Sequence, residues 1–275
     1  MALKFPIKPH RVETMRLLIK LLPLNEPASL PLDNYPLAAL IYQSVWAAAP
    51  DYAEFLHEEG YPVQSDSEDS VSSRQEHKRF KLFVFSRAEQ PGKRIANGRQ
   101  WFNSLRPIEW RVASPIAGQM ELLASGLIAQ EMVRVGDKTS VCDFGVSEIV
   151  EIPPPAITRR MKFKTISPLF VAVDETRPDG SRTKQHLRAE DSRFAERIRM
   201  NLLRKYQALT GVEAADAELE FRFDGHPKAQ LVQYKGTHHH SYMGEFTVVG
   251  SEDLIRLGWE CGFGEANSKG FGMVR

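Results

Sequence analysis

Apolar residues in the first half of the chain follow two periods, which predict a mixture of helices and strands. Residues 15–22 (MRLLIKLL) form a short apolar run that ends at Pro23, as is typical of a buried strand. Leu37, Leu40 and Ile41 recur at helical spacing and predict a helix over residues 33–48. The pattern then predicts a short helix, two strands, a helix and two further strands, at residues 51–58, 80–86, 108–113, 114–127, near 132, and 146–152.

The second half repeats this order of elements. A strand within residues 161–173 is followed by a long helix, three strands, a helix and a short final strand, at residues 189–209, 217–223, 229–234, 245–249, 251–259 and the C-terminus. Both halves approximate β-α-β-β-α-β, the ferredoxin-like unit. We therefore expect an α+β protein of two tandem ferredoxin-like domains, 1–152 and 153–275, joined at the proline run 153–155. RNA-recognition modules use a four-stranded sheet of this kind, although a fold alone does not define a function.

Composition narrows the class of protein. The chain has 275 residues, of which 42% are hydrophobic and 26% are charged, values typical of a globular protein with a core. No run approaches the ~20 apolar residues that a membrane helix needs. Cys142 and Cys261 have neither metal-ligand nor disulfide spacing, so we expect buried thiols in a reducing cytoplasm.

The net charge is only +1, but positive charge is concentrated in two regions. Residues 78–111 carry nine lysines and arginines against two glutamates, and residues 158–206 carry thirteen against six acidic residues. This distribution favours a defined groove for a polyanion. In the second region Arg193, Arg197 and Arg204 lie on roughly one helix face, which either contacts phosphates or is simply solvated.

Three other segments have competing interpretations. Residues 64–75 are rich in serine and acid and predict a mobile loop. The run 238–240 is three histidines, but adjacent histidines rarely converge on one metal ion, so we expect an exposed loop near RNA and no metal cofactor. Aromatic residues in the strands either stack on bases or belong to the core: Trp101, Phe102 and Trp110.

The last fourteen residues, GFGEANSKGFGMVR, contain four glycines in two Gly-Phe-Gly units. Successive free N–H groups in such a loop can form a concavity for phosphate oxygens, and Asn267, Ser268 and Lys269 add donors and a charge. The string matches neither the Walker motif nor the dinucleotide fingerprint, so no nucleotide cofactor is predicted. A tight turn before a final strand is the structural alternative.

This string resembles the C-terminal glycine-rich signature of the CRISPR repeat-processing endoribonucleases, the sixth Cas family of the RAMP superfamily. Three stretches of the first half resemble the same family: Leu40-Ile41-Tyr42, Leu56-His57-Glu58 and residues 81–86 (KLFVFS). The resemblance implies a metal-independent RNA-cleaving site of a tyrosine, a histidine and a lysine, here Tyr42, His57 and Lys81. Lys78 is the alternative lysine, because the interval back to His57 is long.

These residue types suit the implied chemistry. The 2′-OH attacks the adjacent phosphate and leaves a 2′,3′-cyclic phosphate and a 5′-OH. Histidine and tyrosine transfer the two protons, in roles that stay open, and lysine stabilises the charge of the transition state. The resemblance also implies that CRISPR repeat RNA is the substrate, bound by the glycine-rich segment with its polar residues: Gly262, Gly264, Asn267, Ser268, Lys269, Gly270 and Gly272.

Two rival functions remain at this point. A non-catalytic RAMP subunit of a CRISPR effector complex has the same fold and charge, but the joint presence of Tyr42, His57 and Lys81 favours the enzyme. A small-molecule enzyme lacks a cofactor motif and leaves the basic regions unexplained. Effector-complex partners and a homodimer both stay open.

Overall fold

The computed structural model describes residues 15–63, 79–97, 99–138, 141–176 and 179–275. The predicted mobile loop at 64–75 and the alternative lysine Lys78 lie outside these residues. Within the described parts of the chain, no helix is both long and apolar enough to cross a membrane.

The helices α1 to α5 are, in chain order, Tyr35–Ala48, Pro50–Glu54, Ala117–Ala129, Arg193–Thr210 and Glu252–Cys261. A π-helical turn, Phe55–Glu59, continues α2, and a 3₁₀ turn, Asn267–Lys269, lies in the glycine-rich segment. The strands of the first half, β1 to β10, are Met15–Pro23, Ser29–Pro31, Tyr61–Pro62, Arg79–Phe80, Val84–Phe85, Arg94–Ala96, Arg99–Trp101, Ile108–Ser114, Val133–Gly136 and Val141–Glu151. The strands of the second half, β11 to β17, are Arg160–Lys164, Ala172–Thr176, Arg182–His186, Leu219–Phe223, Lys228–Tyr234, Thr237–Met243 and Glu245–Gly250.

The first half is built on an antiparallel sheet of order β5-β8-β1-β10-β9. Strand β1 lies in its middle, and its inward side chains Leu17, Ile19 and Leu21 are buried, as the apolar run predicts. Helices α1 and α3 pack against each other beside this sheet. Counting β1, β5, β8 and β10 as the four strands of the unit gives the ferredoxin-like order 4-1-3-2.

The second half has the same order. Strands β11, β17 and β14 form one antiparallel sheet. The last residues of the chain occupy the fourth position of this sheet, beside β11, where Lys164 and Arg275 exchange backbone hydrogen bonds of 2.9 and 2.8 Å. The prediction of an α+β fold with tandem ferredoxin-like units is therefore confirmed. Hairpins β12–β13 and β15–β16 extend the second unit.

The prediction of one continuous strand over residues 80–86 is wrong, because the strand is interrupted in its middle. Leu82 has a φ of 51°, a left-handed conformation that a strand does not contain. The chain therefore turns after β4, which pairs with β3, and enters β5, which pairs with β8. The apolar pattern of a strand does not stop at this turn, because the turn itself is buried, with Phe80, Leu82 and Phe83 all inside the protein.

Three features of the second half also differ from the predictions. Residues 238–240 lie in strand β16, because Lys235 and Gly236 adopt φ values of 49° and 77° and close a hairpin with β15. Residues 172–186 form the hairpin β12–β13, which the single strand predicted within 161–173 does not include. Helix α4 begins at Arg193 instead of 189, since the Asp191 carboxylate accepts the Arg193 N–H at 2.9 Å.

Arg16 joins the two halves of the molecule. Its side chain leaves β1, is only 3% exposed, and lies over the Trp259 ring of α5 at 3.8 Å. It donates to the backbone oxygen of Val274 at 2.7 Å and to that of Trp259. Burial, and then the charge of Arg111, lower the Arg16 pKa to about 9, so the guanidinium stays charged at neutral pH.

We expect Arg16→Met to lower the free energy of unfolding by roughly 2–6 kcal/mol, because two buried carbonyls lose a charged donor, at roughly 1–3 kcal/mol each. Urea denaturation measures this change. Arg134→Met is the control, since the Arg134 side chain is 66% exposed and forms one surface ion pair, with Asp143. The control should change stability by at most about 1 kcal/mol. Equal, small losses in both variants would mean that Arg16 does not hold the halves together.

Candidate functional site

The structure brings Tyr42, His57 and Lys81 together. Tyr42 comes from α1, His57 from the π-helical turn, and Lys81 from the chain just after β4. The rings of Tyr42 and His57 meet edge to face with 5.3 Å between their centroids. The Lys81 ammonium donates to the backbone oxygen of His57 at 2.6 Å. Residues that are far apart in the sequence thus form one cluster, which we call the Tyr-His-Lys cluster.

Local backbone structure explains this convergence. The π-helical turn ends at Gly60, whose φ is 67° and whose missing Cβ would lie 2.7 Å from the Phe80 oxygen. Only glycine allows this close approach without strain. Directly after it, Tyr61 pairs with Phe80 in the β3–β4 ladder. This pairing places Lys81 beside His57, however many residues separate the two strands in sequence.

The cluster provides groups for proton transfer and charge stabilisation. The His57 Nδ1 lies 2.5 Å from a Glu58 oxygen, which leaves Nε2 available for a substrate. Burial raises the pKa of Tyr42, so its hydroxyl keeps its proton at neutral pH. Burial lowers the pKa of Lys81, while the charge of Glu58 opposes this change. A lysine ammonium has three hydrogens, so Lys81 can still bind an anion while bonded to His57.

The glycines at the C-terminus adopt conformations that other residues rarely adopt. Gly264 and Gly270 have φ values of 72° and 83°. A Cβ on Gly264 would lie 2.6 Å from the Phe170 oxygen, and one on Gly270 would lie 2.7 Å from the Asn34 amide and from the Phe85 ring. Gly262 and Gly272 are similarly crowded by protein atoms. The immediate reason for these glycines is therefore close packing within the protein.

The prediction of free backbone N–H groups at these glycines is wrong for three of them. The N–H groups of Gly262, Gly270 and Gly272 donate to protein carbonyls, at 3.0, 2.9 and 2.8 Å. The buried Asn267 side chain also serves the loop itself, because it donates to the backbone oxygens of Phe263 and Phe271. Ser268 and Lys269, together with Asn267, line a groove that also contains Lys81.

Two side chains from other elements hold the glycine-rich segment in place. Asn34, at the start of α1, donates to the oxygens of Lys269 and Gly270, both at 3.1 Å. Lys205 of α4 is buried and donates to the oxygens of Gly262 and Gly264, at 2.7 and 3.2 Å. Because Tyr42 lies on the helix that Asn34 begins, the segment and the Tyr-His-Lys cluster are mechanically connected.

The predicted arginine face has partners within the protein. Arg193 pairs with Asp191 at 2.7 Å, and Arg197 pairs with Glu265 of the glycine-rich segment at 3.3 Å. Arg204 is partly buried. These contacts occupy part of the donor capacity of Arg193 and Arg197, and phosphate binding by the three arginines stays a prediction.

The other candidates are mainly structural. Trp110 and Phe102 are buried in the core, which favours the structural interpretation of both. The free cysteines are buried as well, and burial raises the pKa of Cys261 to about 11. Among the described residues, no three His, Cys, Asp or Glu side chains are grouped so that they could hold a metal ion.

Sequence reasoning did not identify Asn34, Arg16 or Lys184 as residues of interest. Asn34 had a usable signal, since asparagine before a helix often interacts with backbone groups. Arg16 had another, because it interrupts an apolar strand. Lys184 had none beyond its charge, since its position in the groove depends on the β12–β13 hairpin.

We expect Gly270→Ala to cost more than the conformational strain alone. A left-handed residue with a side chain costs roughly 1–2 kcal/mol, and overpacking adds roughly 1–3 kcal/mol. Gly92→Ala is the matched control: its φ is 79°, but no atom lies within 4 Å of its Cβ position. The difference between their free energies of unfolding isolates the crowding. Equal losses would mean that the neighbours of Gly270 yield freely.

Comparisons with known proteins show which family the chain resembles over most of its length. The model of the family described as CRISPR associated protein Cas6, C-terminal, matches residues 152–275. The CRISPR-associated endoribonuclease Cas6 1 of Methanocaldococcus jannaschii is 31% identical over 246 residues, covering 88% of this chain and 84% of that protein. The CRISPR-associated endoribonuclease Cas6 of Pyrococcus furiosus is 27% identical over 265 residues, covering 95% of this chain and 89% of that protein. A solved structure described as CRISPR associated protein Cas6 has a TM-score of 0.75 at 28% identity, covering 96% of this chain and 99% of its own.

Proposed function

Because this chain belongs to the CRISPR-associated Cas6 family, we propose that it is an endoribonuclease that cuts CRISPR repeat RNA and releases guide RNAs. The named activity of the Methanocaldococcus and Pyrococcus relatives supports this assignment. The observation that carries it in this chain is the convergence of Tyr42, His57 and Lys81 on one another. A non-catalytic RNA-binding subunit has no need of that cluster.

The proposed reaction uses the 2′-OH next to the cut as its nucleophile. Loss of the 2′-OH proton accompanies attack on phosphorus, the bond to the 5′-oxygen breaks, and that oxygen receives a proton. His57, through Nε2, and Tyr42 are the proton-transfer groups, and the Lys81 ammonium stabilises the negative charge on the phosphate. The products are a 2′,3′-cyclic phosphate and a 5′-OH. The groups of this cluster supply every step without a metal ion.

The first expected outcome concerns metal and the 2′-OH. Cleavage of the host repeat RNA should continue in EDTA, because the proposed roles belong to side chains. RNA with a single 2′-deoxyribose at the cut should bind normally and stay intact, since its nucleophile is missing. Gel analysis and end-group mapping measure both results. Activity that is lost in EDTA and restored by Mg²⁺, or cleavage of the deoxy substrate, would contradict this mechanism.

The second expected outcome concerns the Tyr-His-Lys cluster. His57→Ala and Tyr42→Phe should each slow single-turnover cleavage by at least ~10², the usual cost of losing a proton-transfer group. Tyr42→Phe keeps the ring that packs on His57 and removes only the hydroxyl, so folding is preserved. The double variant should be hardly slower than either single variant, because residues that act as a unit are not additive.

His226→Ala is the control for these variants, since His226 is exposed and lies in the turn between β14 and β15. The control should cleave at the wild-type rate. All variants should bind the deoxy repeat RNA with nearly the wild-type affinity, because the groove lined by Ser268 and Lys269 is unchanged. If His57→Ala cuts as fast as the wild type, the histidine is structural and the proposed site is wrong.

A further inference from the structure

A groove of about 480 Å³ leads away from the Tyr-His-Lys cluster. One wall is the chain around Lys81, and the other contains β13, β16 and the 3₁₀ turn of the glycine-rich segment. The lysines and arginines that line it are Arg79, Lys81, Lys184, Lys205 and Lys269. Among the described lining residues Glu265 is the one carboxylate, and Arg197 already pairs with it. We call this feature the basic groove.

Around Lys269, the basic groove concentrates positive charge that no described lining carboxylate beside it compensates. Burial lowers the pKa of Lys269, and the charges of Lys184 and Lys235 lower it further. The Lys269 ammonium also lies 5.3 Å from the Tyr234 ring, which offers it a weak attraction. Like charges that lie close together are unfavourable unless an opposite charge comes close. This part of the groove is therefore suited to an anion that its described lining residues do not supply.

Two histidines, His186 and His239, line the same part of the groove. His239 is 8% exposed, and the centroid of its ring lies 4.8 Å from that of the Phe170 ring. The His186 ring stacks on the His239 ring, with 5.7 Å between their centroids. Burial, followed by the charges of Lys269, His186 and Lys184, lowers the His239 pKa to about 4. Its ring is therefore neutral at physiological pH. Its Nδ1 is buried and has no hydrogen-bond partner, and such an orphan group in a native protein requires an explanation.

We propose that Lys184, His186, His239 and Lys269 form a subsite for one internucleotide phosphate of the RNA strand, separate from the phosphate that is cut. The two ammonium groups neutralise the phosphate charge, and the histidine rings provide neutral hydrogen-bonding groups beside it. The site is continuous with Lys81 through the basic groove, as a polymer with successive phosphates requires. This inference rests on the proposed function, because it takes RNA as the ligand.

The subsite can be tested with repeat RNA that carries 2′-deoxyribose at the cut, so that binding is measured without cleavage. Lys184→Gln should weaken binding and reduce the slope of log K against log salt by about 0.7, the value for one contact to a single strand. Lys184 is exposed on a hairpin, so the variant should fold. Lys228→Gln, on the exposed surface of β15, is the matched control and should leave both quantities unchanged.

The position of the phosphate can be mapped with neutral methylphosphonate linkages, placed one at a time on either side of the cut. In the wild-type protein one linkage away from the cut should weaken binding, and Lys184→Gln should abolish that additional loss. This double-mutant comparison isolates the contact between the lysine and one phosphate. If no linkage is coupled to Lys184, or if Lys184→Gln binds with an unchanged salt slope, the subsite is wrong.

Cleavage of unmodified repeat RNA by the wild-type protein tests the proposed function independently. A wild-type protein that cleaves repeat RNA but shows no coupling to Lys184 refutes the subsite alone. A wild-type protein that neither binds nor cleaves repeat RNA refutes both the function and the subsite.

Discussion

The contact of Arg16 with Trp259 and the chain end holds the two halves of this protein against each other. Tyr42, His57 and Lys81 all belong to the first half, whereas the glycine-rich segment that faces them belongs to the second. A buried guanidinium that stacks on an indole and bonds backbone oxygens allows little sliding between the halves. Such planar, multidentate contacts suit arginine and not lysine. Asn34 adds a second connection at the other side of the segment.

The glycine-rich segment is best understood as a rigid wall. The backbone N–H groups of Gly262, Gly270 and Gly272 donate to carbonyls within the protein. The Asn267 side chain bridges the segment by donating to the backbone oxygens of Phe263 and Phe271. Its two phenylalanines enter separate apolar clusters, Phe263 in the main core and Phe271 in a smaller one with Phe170. The wall therefore presents Ser268 and Lys269 to the groove from a fixed backbone. The residues that build the wall are thus distinct from the two that it presents to the groove.

Much of the fold could be predicted from the sequence, because apolar residues recur at regular spacing in the main strands and helices. The apolar run of β1 and the helical spacing in α1 each describe an element whose buried face is continuous. The failures occur where tertiary structure overrides a local pattern. Leu82 is apolar and in phase with a strand, yet it turns left-handed so that two short strands can join different sheets. The three histidines look like a polar loop, but strand pairing buries His239 and exposes its neighbours.

The pairing of Tyr61 with Phe80 keeps His57 beside Lys81, whatever the number of residues in the stretch of chain between β3 and β4. The entropy of closing a loop rises by only about 0.6 kcal/mol for each doubling of its length. Evolution can therefore lengthen or shorten this stretch at little energetic cost while the histidine and the lysine keep their distance. The number of residues between the histidine and the lysine is therefore a poor guide to homology at this site.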